Sequence, residues 1–170
     1  MQNTLENILG TEVLELCLRF GKSASGYGST LYLVGGPVRD VLLGVCPEDL
    51  DFMLEGDAPG FLKQLHTDWG RDFAEHPQAK KTIVFRRYRT AKLRFARPIC
   101  QRFDELDFSS SRTEQYPIAG GRPEIREGTL EEDLRRRDFS INAMAIALSG
   151  DGVFRVLDFH DGQRHLEARV

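Results

Sequence analysis

Cysteine is scarce in this chain of 170 residues. Cys17, Cys46 and Cys100 are odd in number, far apart, and have no CxxC or histidine partner at ligand spacing. That argues against a disulfide framework or a zinc site and leaves buried, reduced thiols in a cytoplasmic protein as the expectation. Long apolar runs are absent too. No stretch approaches the ~18 residues needed to cross a bilayer, and Met1 to Glu6 has neither the basic region nor the apolar core of a signal peptide, so no membrane partner is expected. There are no internal repeats. There is no GxGxxG either, and the acid pair after the Gly35-Gly36 turn lies far closer than the ~20 residues expected of a ribose-binding acid, which excludes a Rossmann-type dinucleotide site.

Acid is missing from one region. The formal net charge is −3, yet 80–102 holds Lys80, Lys81, Arg86, Arg87, Arg89, Lys92, Arg94, Arg97 and Arg102 with no Asp or Glu, and Phe85, Tyr88 and Phe95 are interleaved. A basic stripe with aromatics on a mildly acidic protein suggests a polyanion on one face. The alternative is a solvated pair of strands with basic outward positions. With 41% hydrophobic and 29% charged residues, the chain has enough apolar content for one domain with a short appendage.

Apolar spacing predicts an amphipathic helix over 4–20, ended by the Gly/Ser-rich 21–29. A strand over 30–34 leads into a helix over 37–43, with Pro37 in the first turn where its missing N–H costs nothing. A second strand covers 50–54, a helix 59–69, and alternation gives strands at 82–88, 91–96 and 104–109. Residues 113–128, rich in Gly and Pro, read as a long loop. Thr129 and Glu132 make a capping box for a helix over 130–136. Residues 138–148 read as helical at first, 153–157 as a strand, and 162–170 as the start of another helix.

Gly35-Gly36 stands at a strand-to-helix turn, where unpaired N–H groups and partial positive charge suit a phosphate. Glycine permits close approach, and Arg39 could fork onto phosphate oxygens. A plain β-turn-α unit is the alternative for the glycine pair alone. Asp49 and Asp51 sit two apart on one strand face while Leu50, Phe52 and Leu54 point into a core. Two carboxylates beside such a turn suit a divalent cation holding a triphosphate, because Mg²⁺ takes one or two carboxylates plus phosphate oxygens. A third carboxylate near the acceptor hydroxyl would be Asp107, with Asp104 and Glu105 as competitors. Glu131 to Asn142 carries three arginines ending in Arg137-Asp138, a pattern that serves phosphates and ribose together or else a solvated helix face.

These segments, Leu33-Val-Gly-Gly-Pro-Val-Arg-Asp-Val-Leu-Leu-Gly44, Glu48-Asp-Leu-Asp-Phe52, Leu106-Asp-Phe-Ser-Ser-Ser-Arg-Thr-Glu114 and Leu130 to Ala145, together resemble the class II tRNA nucleotidyltransferases and bacterial poly(A) polymerases. These families belong to the DNA polymerase β-like nucleotidyltransferase superfamily, and the resemblance runs over roughly 30–170. It implies an α+β head with a mixed sheet of about five strands flanked by helices. It also implies addition of nucleotides from ATP and CTP to the 3′ end of an RNA such as tRNA, with release of pyrophosphate and with Mg²⁺ or Mn²⁺ as cofactor. By the same resemblance Asp49 and Asp51 hold the metal, Asp107 completes the catalytic set, and Gly35, Gly36, Arg39, Arg137, Asp138 and Asn142 bind the nucleotide. Asp158 to Gly162 resembles the hinge between head and neck, and 113–128 the flexible loop. The expected organisation is an N-terminal helix and linker (1–29), the catalytic head (30–160) and the start of a neck helix (161–170).

The chain departs from the family in two ways. Pro37 replaces a small residue, and the chain ends where the neck should begin. Glu132-Asp133-Leu-Arg-Arg136 fits the neck's base-reading motif literally, but its place just before Arg137-Asp138 assigns it to the RRD segment. A minimal enzyme with poor base selectivity is therefore expected. The alternatives are a poly(A) polymerase, or an inactive nucleotide- and RNA-binding head that needs a separate chain for its neck and tRNA-binding domains.

Overall fold

A computed structural model describes residues 1–68, 79–99, 102–115, 117–118, 120–121 and 123–169. Two helices, α1 (Gln2–Leu9) and α2 (Thr11–Gly26), precede β1 (Thr30–Val34), α3 (Gly36–Leu42), β2 (Asp51–Glu55) and α4 (Ala58–Asp68). Then come β3 (Ala79–Phe85), a 3₁₀ turn (Arg86–Tyr88), β4 (Thr90–Ile99), β5 (Phe103–Ser110), and the hairpin β6 (Arg112–Gln115) and β7 (Glu124–Glu127). The chain continues through α5 (Leu130–Arg135), a 3₁₀ turn (Ser140–Asn142), β8 (Met144–Ala147), β9 (Val156–Asp158) and α6 (Gly162–Ala168). The main sheet has seven strands in the order β3-β4-β5-β2-β1-β8-β9. Only β2 and β5 pair in parallel; the other neighbours are antiparallel.

The expected α+β fold is present, with seven strands in the sheet where about five were expected. The main reason is Met144–Ala147, expected near a helix but folded as a strand between β1 and β9 with all four residues buried. A short run of small apolar residues fits a buried strand and a buried helix equally well. The expected loop 113–128 also holds structure, because Arg112–Gln115 pairs with Glu124–Glu127. Both strands are mostly polar, so they leave no apolar alternation to read.

Differences at the N terminus come from glycine. The helix expected over 4–20 is broken at Gly10, where φ is 86°, and the second helix runs on through Gly21 to Gly26. A Cβ at Gly21 would collide with the backbone oxygen of Leu148, so this glycine lets α2 pack directly on the end of β8. Leu5, Leu9, Val13, Cys17 and Phe20 thereby enter the same core as the sheet.

That core lies under one sheet face. Phe52 and Phe108 stack with centroids 4.9 Å apart, and Phe20 meets them edge-on at 5.9 and 5.4 Å. Such aromatic geometry adds about 0.5–1.5 kcal/mol per pair beyond area burial. On the other face α5 places Leu130 and Leu134 over Tyr32, Val34, Met53, Ala145 and Ala147. This second cluster covers β1, β2 and β8. Toward β5 and β4 the same face turns polar, and the carboxylates lie at that margin. Among the described residues no helix is long and apolar enough to cross a membrane.

Candidate active site

Asp51 opens β2 and pairs directly with Asp107 in the parallel register of β5. Leu50, Phe52, Leu106 and Phe108 alternate with them into the core. The register brings Asp107, rather than its two competitors, beside Asp51. Glu105 is bound by Lys92 and, at 2.8 Å, by Arg94 Nε, and these contacts lower its pKa. Asp104 is exposed at the opposite parity of the strand. Asp49 lies in the bend ahead of β2 rather than on it, and is exposed.

Asp51 is pushed from 3.8 up to about 6, chiefly by burial, then by the charges of Asp107 and Asp49, with Arg137 and Lys92 opposing. Lys92 stands across from Asp107 on β4, its Nζ 3.0 Å from Oδ2. One row therefore crosses the sheet as Asp51, Asp107 and Lys92. Among the described residues no group of three or more His, Cys, Asp or Glu is gathered so as to hold a metal ion. Two in-register carboxylates form an all-oxygen donor pair that fits Mg²⁺, which usually completes its octahedron from substrate phosphates and water. The charge crowding on Asp51 is what a cation would relieve.

Beside this row, β1 is followed by Gly35, whose φ of 76° lies in the region that favours glycine. A Cβ there would stand 2.9 Å from Arg137 Nη1, so glycine also leaves room for that guanidinium. Gly36 opens α3, and Arg39 on its exposed side donates to Asn142 Oδ1 at 2.9 Å while pairing with Asp40 at 2.7 Å. Arg137 Nη1 donates to the Asn142 carbonyl at 3.3 Å. Asn142 thus holds two arginines, one through its side chain and one through its backbone. Asp138 is exposed.

Asp133 escaped the sequence reading, which took its run as phosphate-binding or a solvated helix face. It is 1% exposed. Its Oδ2 accepts from Arg136 Nη2 at 2.7 Å and the Arg112 N–H at 3.1 Å, and its Oδ1 accepts from Arg137 Nε and Nη2 at 3.4 and 3.3 Å. The usable signal was Asp133 spaced i,i+3 and i,i+4 from Arg136 and Arg137. The capping box of Thr129 and Glu132 is formed as expected and starts this helix.

A cleft of about 280 Å³ joins these parts, lined by Asp51, Asp107, Thr90, Arg112, Arg136 and Arg137 among others. Of the expected site residues, Asp51, Asp107 and Arg137 line it, and Gly35, Gly36, Arg39, Asp49, Asp138 and Asn142 do not. Arg39 connects to it through Asn142 and Arg137.

Two carboxylates facing arginines across a mixed sheet make a site suited to a cation and a phosphate chain. Residues 31–170 match the poly A polymerase head domain, and the chain belongs to that family. The CC-adding tRNA nucleotidyltransferase of Deinococcus radiodurans is 38% identical over 146 residues, 85% of this chain and 35% of that protein. The A-adding tRNA nucleotidyltransferase of Aquifex aeolicus is 37% identical over 139 residues, 82% of this chain and 15% of that protein. Among solved structures, an apo form of a CCA-adding enzyme matches with a TM-score of 0.80 at 30% identity, over 98% of this chain and 36% of that one. The Thermotoga maritima CCA-adding enzyme complexed with tRNA matches with a TM-score of 0.73 at 27% identity, over 97% and 33%. The chain thus spans about a third or less of the length of these relatives.

Proposed function

We propose that this head transfers nucleoside monophosphates from ATP or CTP to the 3′ hydroxyl of an RNA, tRNA foremost, and releases pyrophosphate. The observation that carries the reading is the single cleft in which Asp51 and Asp107, in register, face Arg137. The activities for which the relatives are named, CC-adding and A-adding on tRNA, support it.

In this reading Asp49 and Asp51 hold Mg²⁺, or Mn²⁺ in its place. The bound metal supplies Lewis-acid polarisation of phosphoryl oxygens and of the attacking hydroxyl. Asp107 completes the acidic row on the side where the acceptor hydroxyl enters. Gly35 and Gly36 let the triphosphate approach the backbone, and Arg39 and Arg137 take its oxygens as planar, charged donors. Asn142 keeps the two guanidinium groups oriented, and buried Asp133 fixes Arg137 from behind. Asp138, exposed next to Arg137, accepts from the ribose 2′-hydroxyl. The free thiols Cys17 and Cys46 fit a cytoplasmic setting. Burial pushes the Cys17 thiol up to about 12, so it stays protonated. The poly A polymerase description of the family favours polyadenylation as a second reading.

Equilibrium binding of CTP and ATP, with and without Mg²⁺, tests the site. Arg137→Gln is expected to weaken binding about 10- to 100-fold, the worth of hydrogen bonds to a charged group. Binding that ignores both Mg²⁺ and Arg137 would overturn the assignment.

A further inference from the structure

The positive charge of β3 and β4 is unevenly spent. Arg89 pairs with Glu127 at 2.7 Å, Lys92 with Glu105 and Asp107, and Arg94 with Glu105. Arg86 and Arg87, at the turn between the strands, are exposed; Arg86 lines a cleft with Val84 and with His66 of α4, on the side away from the carboxylates, and Arg87 meets no acid among the described residues. Flanking them, Phe85 is 42% and Tyr88 51% exposed, and the Arg87 guanidinium lies 6.0 Å from the Tyr88 ring centroid. An exposed arginine set beside exposed rings is what single-stranded nucleic acid binds, with rings taking base faces and the cation tracking the backbone.

The turn is held in place. Arg89 closes it at a φ of 54°, uncommon for a residue with a side chain. The Tyr88 carbonyl accepts from Arg112 Nη1 at 2.6 Å, and the Arg89 carbonyl accepts from the Ser110 N–H at 2.9 Å. Its position follows from register. Phe85 pairs with Thr90, and Thr90 with Ser109; the next row is Ile83, Lys92, Asp107 and Asp51. Alternation sends Val84 to the opposite face, so Phe85 shares the carboxylate face, and Thr90 and Ser109 line the cleft. With strands ~4.8 Å apart and ~3.3 Å per residue, the Phe85 and Asp107 backbones are about 12 Å apart.

Resting on the transferase reading, we propose that Phe85, Arg87 and Tyr88 form a stacking platform for the single-stranded 3′ segment of the RNA as it enters the cleft. One arginine without an acid partner among the described residues and two exposed rings match a short single strand; a duplex offers no unstacked bases to take. The platform adds a contact away from the nucleotide site and keeps the RNA end near Asp107.

The test is fluorescence anisotropy of a short labelled single-stranded RNA against the 170-residue chain over a salt series. Phe85→Ala/Tyr88→Ala is expected to bind about tenfold or more weakly with an unchanged salt slope. Arg87→Gln is expected to flatten the slope of log K against log salt by about 0.7, the share of one phosphate on a single strand. Unchanged melting temperatures would confirm that both variants fold, since all three side chains are exposed. Wild-type affinity and slope in both variants, or equal affinity for a blunt duplex, overturns the platform. Nucleotide addition separates the two readings. Normal addition by wild type with unaltered RNA binding by the variants removes only the platform. No addition by wild type, with RNA binding that still depends on the turn, removes only the transferase reading.

Discussion

Replacing Asp51 by Asn should stabilise the metal-free protein at neutral pH. An isolated carboxyl titrates near 3.8, and burial together with Asp107 and Asp49 carries Asp51 to about 6. Between those values the folded state keeps a proton that the unfolded chain has released, so stability falls as pH rises through that window. At about 1.36 kcal/mol for each step in pKa, the cost above pH 6 is up to about 3 kcal/mol, less whatever water reaches the partly exposed side chain. Asn has nearly the shape of the protonated acid and carries no charge, so Asp51→Asn escapes that cost. Urea unfolding in EDTA at about pH 8 should show the variant more stable by about 1–3 kcal/mol with m unchanged, and the gain should vanish near pH 4. A variant less stable than wild type at pH 8, or a gain independent of pH, would refute the reasoning. Added Mg²⁺ should stabilise wild type and leave the variant nearly unchanged, because a ligand stabilises only the state that binds it.

Asp133→Asn removes the charge that two arginines share while leaving them in place. With Asp133 buried and Arg136 and Arg137 partly solvated, the expected loss is about 3 kcal/mol in denaturant unfolding, the low end for a broken buried pair. Gly21→Ala would ordinarily help a helix by about 1 kcal/mol. Here the new methyl meets the Leu148 backbone, so calorimetry should show a net loss of about 2 kcal/mol or more.

The features legible in the sequence are local. The β1–α3 turn, the capping box and the alternation that turns Asp51 and Asp107 away from the core all depend on neighbours within a few residues. So does the match of four ordered motifs to a family. What escaped depended on distant partners. Met144–Ala147 becomes a strand because β1 and β9 flank it. Gly21 is required by Leu148, far along the chain, and Asp133 is buried partly by the Arg112 backbone. The β6–β7 hairpin is mostly polar, and its Arg112 carbonyl and Glu114 carboxylate accept from Arg136, just past the end of α5. Asp49 and Asp51 were expected on one strand face, and the strand instead begins at Asp51.

The most direct measurement is extension of a labelled tRNA lacking its 3′ end, with Mg²⁺ and each NTP separately, beside an Asp49→Ala/Asp51→Ala control. Extension with CTP or ATP that disappears in the double variant is the predicted result. Extension that survives the double substitution would contradict the carboxylate row as the reacting centre. Failure of wild type to add any nucleotide, at concentrations where tRNA and NTP are both bound, would contradict the transferase itself.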